Sequence, residues 1–118
     1  MTIEEGNKLI YDFLNPESSI KQYFNDIGWN HYCLRRGYHG NWNSLINVLN
    51  KIEELGVSTD LHYFRANKLH TVTLFGYSLE YDCTSTSESK IKALYEAVVK
   101  FIKWYNNKET KNYFNLNK

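Results

Sequence analysis

The fold of this chain is decided by one stretch, Ser87–Asn106, which reads SESKIKALYEAVVKFIKWYN. Its apolar residues recur at steps of three and four, which is the spacing of one face of an α-helix. They are Ile91, Leu94, Tyr95, Val98, Phe101, Ile102 and Tyr105. Ser85 lies three residues before Glu88, and this pattern is typical of a capping box at a helix start. The stretch therefore predicts a long helix whose broad apolar face covers a β-sheet.

Before this helix the apolar period changes to two, which is the period of a β-strand. The alternation predicts three strands at Val57–Tyr63, His70–Phe75 and Tyr77–Cys83. Turn-sized segments separate them, and strands at this spacing form an antiparallel meander. We therefore expect the long helix to lie on the apolar face of a small antiparallel sheet.

Two more helices are predicted nearer the beginning of the chain. Thr2 and Glu5 form a capping-box pattern before a short amphipathic segment, which ends at Pro16 because proline restricts the preceding residue. A second apolar stripe runs from Trp42 to Leu55, and Gly56 supplies the glycine that often follows a helix.

The region between these helices is less regular. Residues 17–28 fit a helical turn or an ordered loop equally well, because their helical spacing is short and closes on Gly28. Trp29–Tyr38 has the composition of a strand, and we predict an edge strand or an extended loop there.

The predicted fold class is α+β, with an antiparallel sheet of three to four strands packed with about three helices in an α-β-α sandwich-like arrangement. The length of 118 residues favours a single domain. We expect the compact domain to cover residues 1–107 and a polar C-terminal tail to cover 108–118.

The composition indicates a protein of the reducing cytoplasm. The beginning of the sequence shows no basic segment followed by an apolar one, which is the pattern of a signal peptide. No apolar run has the length of a membrane span. Cys33 and Cys83 form no disulfide framework, and both fall in predicted strands, so we expect buried free thiols. We therefore expect no contact with a membrane.

The charge is unevenly distributed although the net charge is only +1. Residues 1–30 carry five acidic residues and two lysines, whereas residues 90–118 carry seven lysines and two glutamates. Such asymmetry is typical of a basic partner-binding face, and it is also typical of the solvated side of an outer helix.

The segment with the strongest functional composition is Trp29–Trp42, which reads WNHYCLRRGYHGNW. It places two arginines among aromatic residues and histidines, a mixture found in protein-binding hot spots and in surfaces that bind phosphates or bases. The predicted binding residues are Tyr32, Arg35, Arg36, Tyr38 and His39. The alternative is structural, with Trp42 in the core and the arginines solvated.

No pattern in the chain indicates catalysis. The four histidines, His31, His39, His62 and His70, show no metal-ligand spacing, and no nucleotide-binding loop or hydrolase motif is present. A nucleophile at Cys33 would need a base supplied by the fold. We therefore expect a protein that is not an enzyme and uses no cofactor or metal.

Three motifs resemble small phage and prophage proteins of Bacteroidetes-type bacteria. They are NKLI.DF at Asn7–Phe13, YH..W..L..V..KIE.L at Tyr38–Leu55 and SKI.A.Y.AVV.FIKWYN at Ser89–Asn106. These proteins resemble the phage α-β-α sandwich domain, so the resemblance implies a sheet layered with helices and a mobile-element origin. It covers about two-thirds of the chain, excludes Pro16–Leu34, and implies no catalytic or ligand residue.

The leading hypothesis is a phage or prophage accessory protein that binds a host protein or ribonucleoprotein, for instance as an inhibitor of a bacterial defence system such as a CRISPR nuclease. The first alternative is direct binding of nucleic acid or nucleotide through the arginine segment and the C-terminal lysines. The second alternative is a small-ligand sponge or enzyme, which would need a deep pocket near the histidines. The sequence leaves the oligomeric state open.

Overall fold

The computed structural model describes residues 2–16, 20–76 and 82–116. Its elements are α1 (Ile3–Leu14), a 3₁₀ turn (Ile20–Tyr23), α2 (Asp26–Arg35), α3 (Trp42–Glu54), β1 (Val57–Phe64), β2 (Leu69–Gly76), β3 (Cys83–Ser87) and α4 (Lys90–Leu116). The described residues thus form four α-helices and one three-stranded antiparallel sheet. The predicted α+β class is confirmed.

The ends of α1 and α3 follow the predicted signals. The Thr2 hydroxyl accepts a hydrogen bond of 3.1 Å from the Glu5 N–H at the start of α1. At the start of α3, the Asn41 side chain accepts one of 3.1 Å from the Ser44 N–H. Gly56, which follows α3, has φ of +94°, a conformation that favours glycine, and the chain reverses there into β1.

The three strands are adjacent in chain order. Leu61 of β1 lies opposite Val72 of β2, and Leu74 of β2 lies opposite Cys83 of β3. The first two predicted strands are confirmed. Residues 77–81 of the predicted third strand lie outside the described residues, and β3 begins at Cys83 and continues to Ser87.

The predicted capping box of α4 is wrong. Ser85 lies in β3, where strand pairing holds its backbone opposite Val72, and its hydroxyl donates a hydrogen bond of 2.8 Å to Glu96 Oε2. The hydroxyl of Ser89 instead accepts from the Lys92 N–H at 3.3 Å. The helix itself is confirmed, and it continues through Leu116 into the segment that we expected to be a tail.

The predicted edge strand at Trp29–Tyr38 is also wrong, because most of this segment is helix α2. The Asn25 side chain caps the helix by accepting a hydrogen bond of 2.7 Å from the Gly28 N–H. The buried side chains of Trp29 and Cys33 lie four residues apart and so share one helix face. Cys33 is therefore in a helix rather than a strand, although both cysteines are free and buried as expected.

The helices pack on the sheet and on one another mainly through α4 and α1. Helix α4 packs on β2 and β3, α3 packs on β1 and α4, α1 packs on α4, and α2 packs on α1. The core is continuous from the sheet through α4 to α1 and α2, and its fully buried side chains include Val72, Leu94, Phe101, Ile10 and Trp29. This packing places α2 at one side of the molecule and leaves a groove between α1 and α4.

Candidate functional site

The first candidate site is built on α2 around Tyr32. Its ring stacks on Trp29 with centroids 5.6 Å apart, and it meets Tyr11 of α1 edge to face at 5.5 Å. The ring of Phe24 lies 5.2 Å from that of Tyr32 and 6.0 Å from that of Trp29. Because Trp29 and Tyr11 are buried, they form a rigid base beneath the more exposed rings of Phe24 and Tyr32.

Arg36 completes this cluster one helical turn after Tyr32. Its guanidinium carbon lies 4.9 Å from the centre of the Tyr32 ring and 5.6 Å from that of Tyr11, and it donates a hydrogen bond to Tyr32 Oη. Partial burial lowers the Arg36 pKa, but the hydrogen bond and the charge interaction with Tyr32 raise it overall, so the cation is retained. We call Phe24, Tyr32 and Arg36 the aromatic–arginine surface.

Other exposed side chains lie on α2 and in the segment before it. Tyr23 is 78% exposed and Ile27 is 71% exposed, and both lie in the segment that leads into α2 or in its first turn. His31 and Arg35 are exposed on the adjoining face of the same helix. Large apolar side chains beside a fixed cation are characteristic of protein-binding sites.

The structure brings only some of the predicted binding residues together. Tyr32 and Arg36 are in contact, and Arg35 is exposed on the same helix. Tyr38 is only 6% exposed, and burial raises the pKa of its phenol, so it offers little surface to a partner. His39 lies on the loop before α3 and faces α1 and α4.

His39 belongs to a second candidate site, a groove of about 640 Å³ between α1 and α4. The Asn7 Nδ2 atom lies 3.1 Å from His39 Nδ1. With the amide nitrogen as donor, the neutral imidazole carries its proton on Nε2. The groove is lined by Thr2, Ile3, His39, Ser89, Ile91, Lys92, Tyr95, Glu96, Val99, Lys100 and Lys103.

The groove has a cationic wall supplied by α4. Lys92, Lys100 and Lys103 line it, and Lys100 is held by donating a hydrogen bond of 2.6 Å to the Thr84 carbonyl. Glu96 also lines the groove and accepts from Ser85. Burial raises the pKa of Tyr95 to about 12, so its phenol stays protonated at neutral pH. The groove thus offers a ligand three lysine cations, one carboxylate and a neutral phenol.

Sequence reasoning missed several residues of both sites. Phe24 belongs to the aromatic–arginine surface and Tyr11 lies beneath it, but Phe24 lies in a segment whose helical spacing is short and Tyr11 lies on a different helix. A helical interpretation of Trp29–Tyr38 would have placed Tyr32 and Arg36 on one face, because they are four residues apart. No local signal indicates that α1 contributes Asn7 beside His39.

Metal-ligating and nucleophilic side chains are the remaining groups of chemical interest in the described part of the chain. In the described parts of the chain, no group of three or more His, Cys, Asp or Glu side chains is placed to hold a metal ion. Both cysteines are buried, and burial raises the pKa of the Cys83 thiol. Among the described helices, none is both long enough and apolar enough to cross a membrane.

No protein-family model, curated protein or solved structure matches this chain. The resemblance of its helices to phage and prophage proteins therefore stays a prediction.

Proposed function

We propose that this chain is a non-enzymatic binding protein that docks on a protein partner through the aromatic–arginine surface. The observation that supports this most directly is the position of Arg36, which is held over the rings of Tyr32 and Tyr11 while remaining exposed. A cation fixed in this way loses little conformational entropy when a partner binds. Arginine and tyrosine in such an arrangement are the residues that most often dominate binding energy.

The resemblance to phage and prophage proteins extends this proposal to a class of partner. The partner is a protein or ribonucleoprotein of the bacterial host cytoplasm, and the chain acts as an accessory protein that inhibits a defence component such as a CRISPR nuclease. A steric mechanism of this kind needs a preorganised face of about 800 Å² on each partner and no chemistry.

Protein is favoured over nucleic acid as the partner of this surface. The main contacts of α2 are with α1, whereas Lys92, Lys100 and Lys103 line the groove between α1 and α4. These three lysines therefore do not extend the arginine surface into one continuous cationic track. Two arginines alone supply few positive charges for binding the phosphate backbone of a nucleic acid.

Capture from the host lysate identifies the partner, and binding of the purified partner then tests the site. We expect Arg36→Ala to weaken that binding at least about tenfold, which corresponds to about 1.4 kcal/mol. Arg65→Ala is the matched control, because Arg65 is equally exposed but lies in the turn between β1 and β2. Equal affinity for the two variants would exclude the aromatic–arginine surface as the docking site.

A second candidate function is the binding of a small phosphate-bearing ligand in the groove between α1 and α4. The specific observation in its favour is a volume of about 640 Å³ lined by three lysines and by His39. This volume lies within the range of small-molecule sites, and ammonium groups bind phosphate oxygens strongly.

Titration calorimetry with inorganic phosphate and with nucleoside mono-, di- and triphosphates tests the second candidate. We expect binding that weakens with salt and that is lost in the double variant Lys92→Ala/Lys103→Ala. Lys68→Ala is the control, because Lys68 is exposed in the β1–β2 turn away from the groove. Absence of heat with every phosphate compound would reject this function and leave the docking proposal standing.

A further inference from the structure

Strand β1 is an unprotected edge of the sheet. In the described sheet it pairs only with β2, so the backbone N–H and C=O groups that point away from β2 have no strand partner among the described residues. From Asp60 to Phe64 every residue is exposed. Proteins usually protect such an edge with lysine, proline or a bulge, but β1 contains neither residue and pairs with β2 in unbroken register.

Apolar side chains are exposed on both faces of this edge. Leu61 and Tyr63 share the face of the buried Val57, and each of the two is 46% exposed. Phe64 is exposed to the same extent on the opposite face, next to the ring of His62 at 4.3 Å. Together, an open edge and exposed apolar side chains indicate a surface that another strand covers.

We infer that the covering strand is β1 of a second copy, joined antiparallel about a twofold axis through Leu61 to give a six-stranded sheet. Residues directly opposite each other in an antiparallel pair project from the same face. With the axis at Leu61, this residue meets the partner's Leu61, and Thr59 meets the partner's Tyr63. On the other face Asp60 lies opposite the partner's His62. By symmetry His62 lies opposite the partner's Asp60.

The pairing of side chains favours this register over its neighbours. A shift that moves the axis to Asp60 would place two carboxylates opposite each other, and like charges at such positions are destabilising. A shift to His62 would place two imidazoles together and leave each Asp60 opposite the partner's Phe64. The axis at Leu61 gives each Asp60 a hydrogen-bonding partner and pairs the two exposed leucines.

Helix α3 exposes further apolar side chains. It packs on β1, and its Trp42 and Ile46 are exposed large apolar side chains. Lys90 lies over the Trp42 ring at 5.9 Å and also lines a small cleft with Leu61 and Tyr63, so this lysine is near both Trp42 and β1. This inference is independent of the proposed docking function.

Sedimentation equilibrium of the full chain tests the dimer from micromolar to submillimolar concentration. We expect the mass to rise from the 14.0 kDa monomer to twice that value. Asp60→Lys should weaken the dimer at least about tenfold, because it removes the carboxylate that accepts a hydrogen bond from the partner's His62. The double variant Asp60→Lys/His62→Asp should restore dimerisation, because each new lysine then lies opposite a carboxylate of the partner. A monomer at every concentration would overturn the inference.

Oxidative cross-linking tests the register. Leu61→Cys should give a covalent dimer, because the axis places the two residues directly opposite each other. Phe75→Cys is the control, because Phe75 is 41% exposed but lies on the central strand β2. The native cysteines are buried and should contribute no background. Equal cross-linking at both positions, or cross-linking at His62→Cys instead, would overturn the proposed pairing.

Discussion

Gly6 of α1 and Tyr95 of α4 are packed so closely that a Cβ atom on Gly6 would overlap Tyr95 Oη. Such a Cβ would also lie 3.0 Å from Tyr95 Cζ and 3.4 Å from Val99 Cγ2. The Tyr95 hydroxyl is fixed by donating a hydrogen bond of 3.2 Å to the Ile3 carbonyl. This contact fixes the distance between α1 and α4. It therefore also fixes the position of the groove, and that of α2, which packs on α1.

Gly6→Ala should destabilise the chain, although alanine normally stabilises a helix interior by up to about 1 kcal/mol relative to glycine. We expect a loss of about 1 to 2 kcal/mol in the free energy of unfolding, because the new methyl group displaces a buried ring. Urea denaturation measures this change. Gly40→Ala is the control, since a Cβ at Gly40 meets no atom within 4 Å, and it should change the free energy by less than about 0.5 kcal/mol.

The same contact predicts coupling between the two residues. Tyr95→Phe alone should cost about 1 kcal/mol through loss of the hydrogen bond to Ile3. The variant Gly6→Ala/Tyr95→Phe should then be more stable than the sum of the single effects predicts, because the overlapping oxygen is absent. If the two changes in the free energy of unfolding simply add, the overlap between the new Cβ atom and Tyr95 Oη is relieved by movement of other atoms.

Tyr95 should make the stability fall at high pH. Burial raises the pKa of its phenol to about 12, whereas a tyrosine in the unfolded chain titrates near pH 10. The folded chain therefore holds this proton more tightly. The stabilising contribution is complete below pH 10 and is lost as the pH rises from 10 through 12.

Urea denaturation of the native chain and of Tyr95→Phe at pH 9 and at pH 11 separates this effect from the titration of the other residues. The native chain should lose more stability over this interval than the variant, because only the native chain carries the Tyr95 phenol, whereas both carry Tyr38. Identical losses would mean that this phenol titrates normally in the folded chain.

The cap of α2 should control the aromatic–arginine surface. Asn25→Ala removes the side chain that accepts from the Gly28 N–H, and we expect a loss of about 1 kcal/mol in the free energy of unfolding. Circular dichroism during urea denaturation measures it. Asn25→Ser is the control, because serine caps a helix about as well as asparagine and should retain most of the stability. A neutral Asn25→Ala variant would show that packing on α1 alone holds α2.

The hydrogen bond from Ser85 to Glu96 should contribute to the docking of α4 on the sheet. Ser85→Ala leaves the carboxylate of Glu96 without its 2.8 Å donor, and we expect a loss of about 1 kcal/mol because the carboxylate remains partly solvated. Differential scanning calorimetry detects the change as a lower Tm. Ser58→Ala is the control, because Ser58 is exposed on β1 and should leave the Tm nearly unchanged.

Most of the secondary structure was predictable because its signals are local. The apolar stripe of Ser87–Asn106 alone predicts α4, and Thr2 and Gly56 mark the start of α1 and the end of α3 through their own backbone chemistry. The alternation from Val57 onward predicts β1 and β2 for the same reason. In each case the residues that define the element are near neighbours in the chain.

The candidate sites depended on contacts that no local signal contains. Trp29, Tyr32 and Cys33 have side chains that favour strands, yet packing on α1 makes their segment a helix, since tertiary contacts outweigh propensities of less than about 1 kcal/mol per residue. Ser85 had the sequence of a cap but was drawn into β3 by pairing with β2. Asn7 and His39 meet across 32 residues because the fold brings the loop before α3 against α1. The sequence by itself determined which segments are amphipathic, because that property is set by nearby side chains. Only the tertiary structure decided which polar groups share a surface, because that depends on the approach of helices that are distant along the chain.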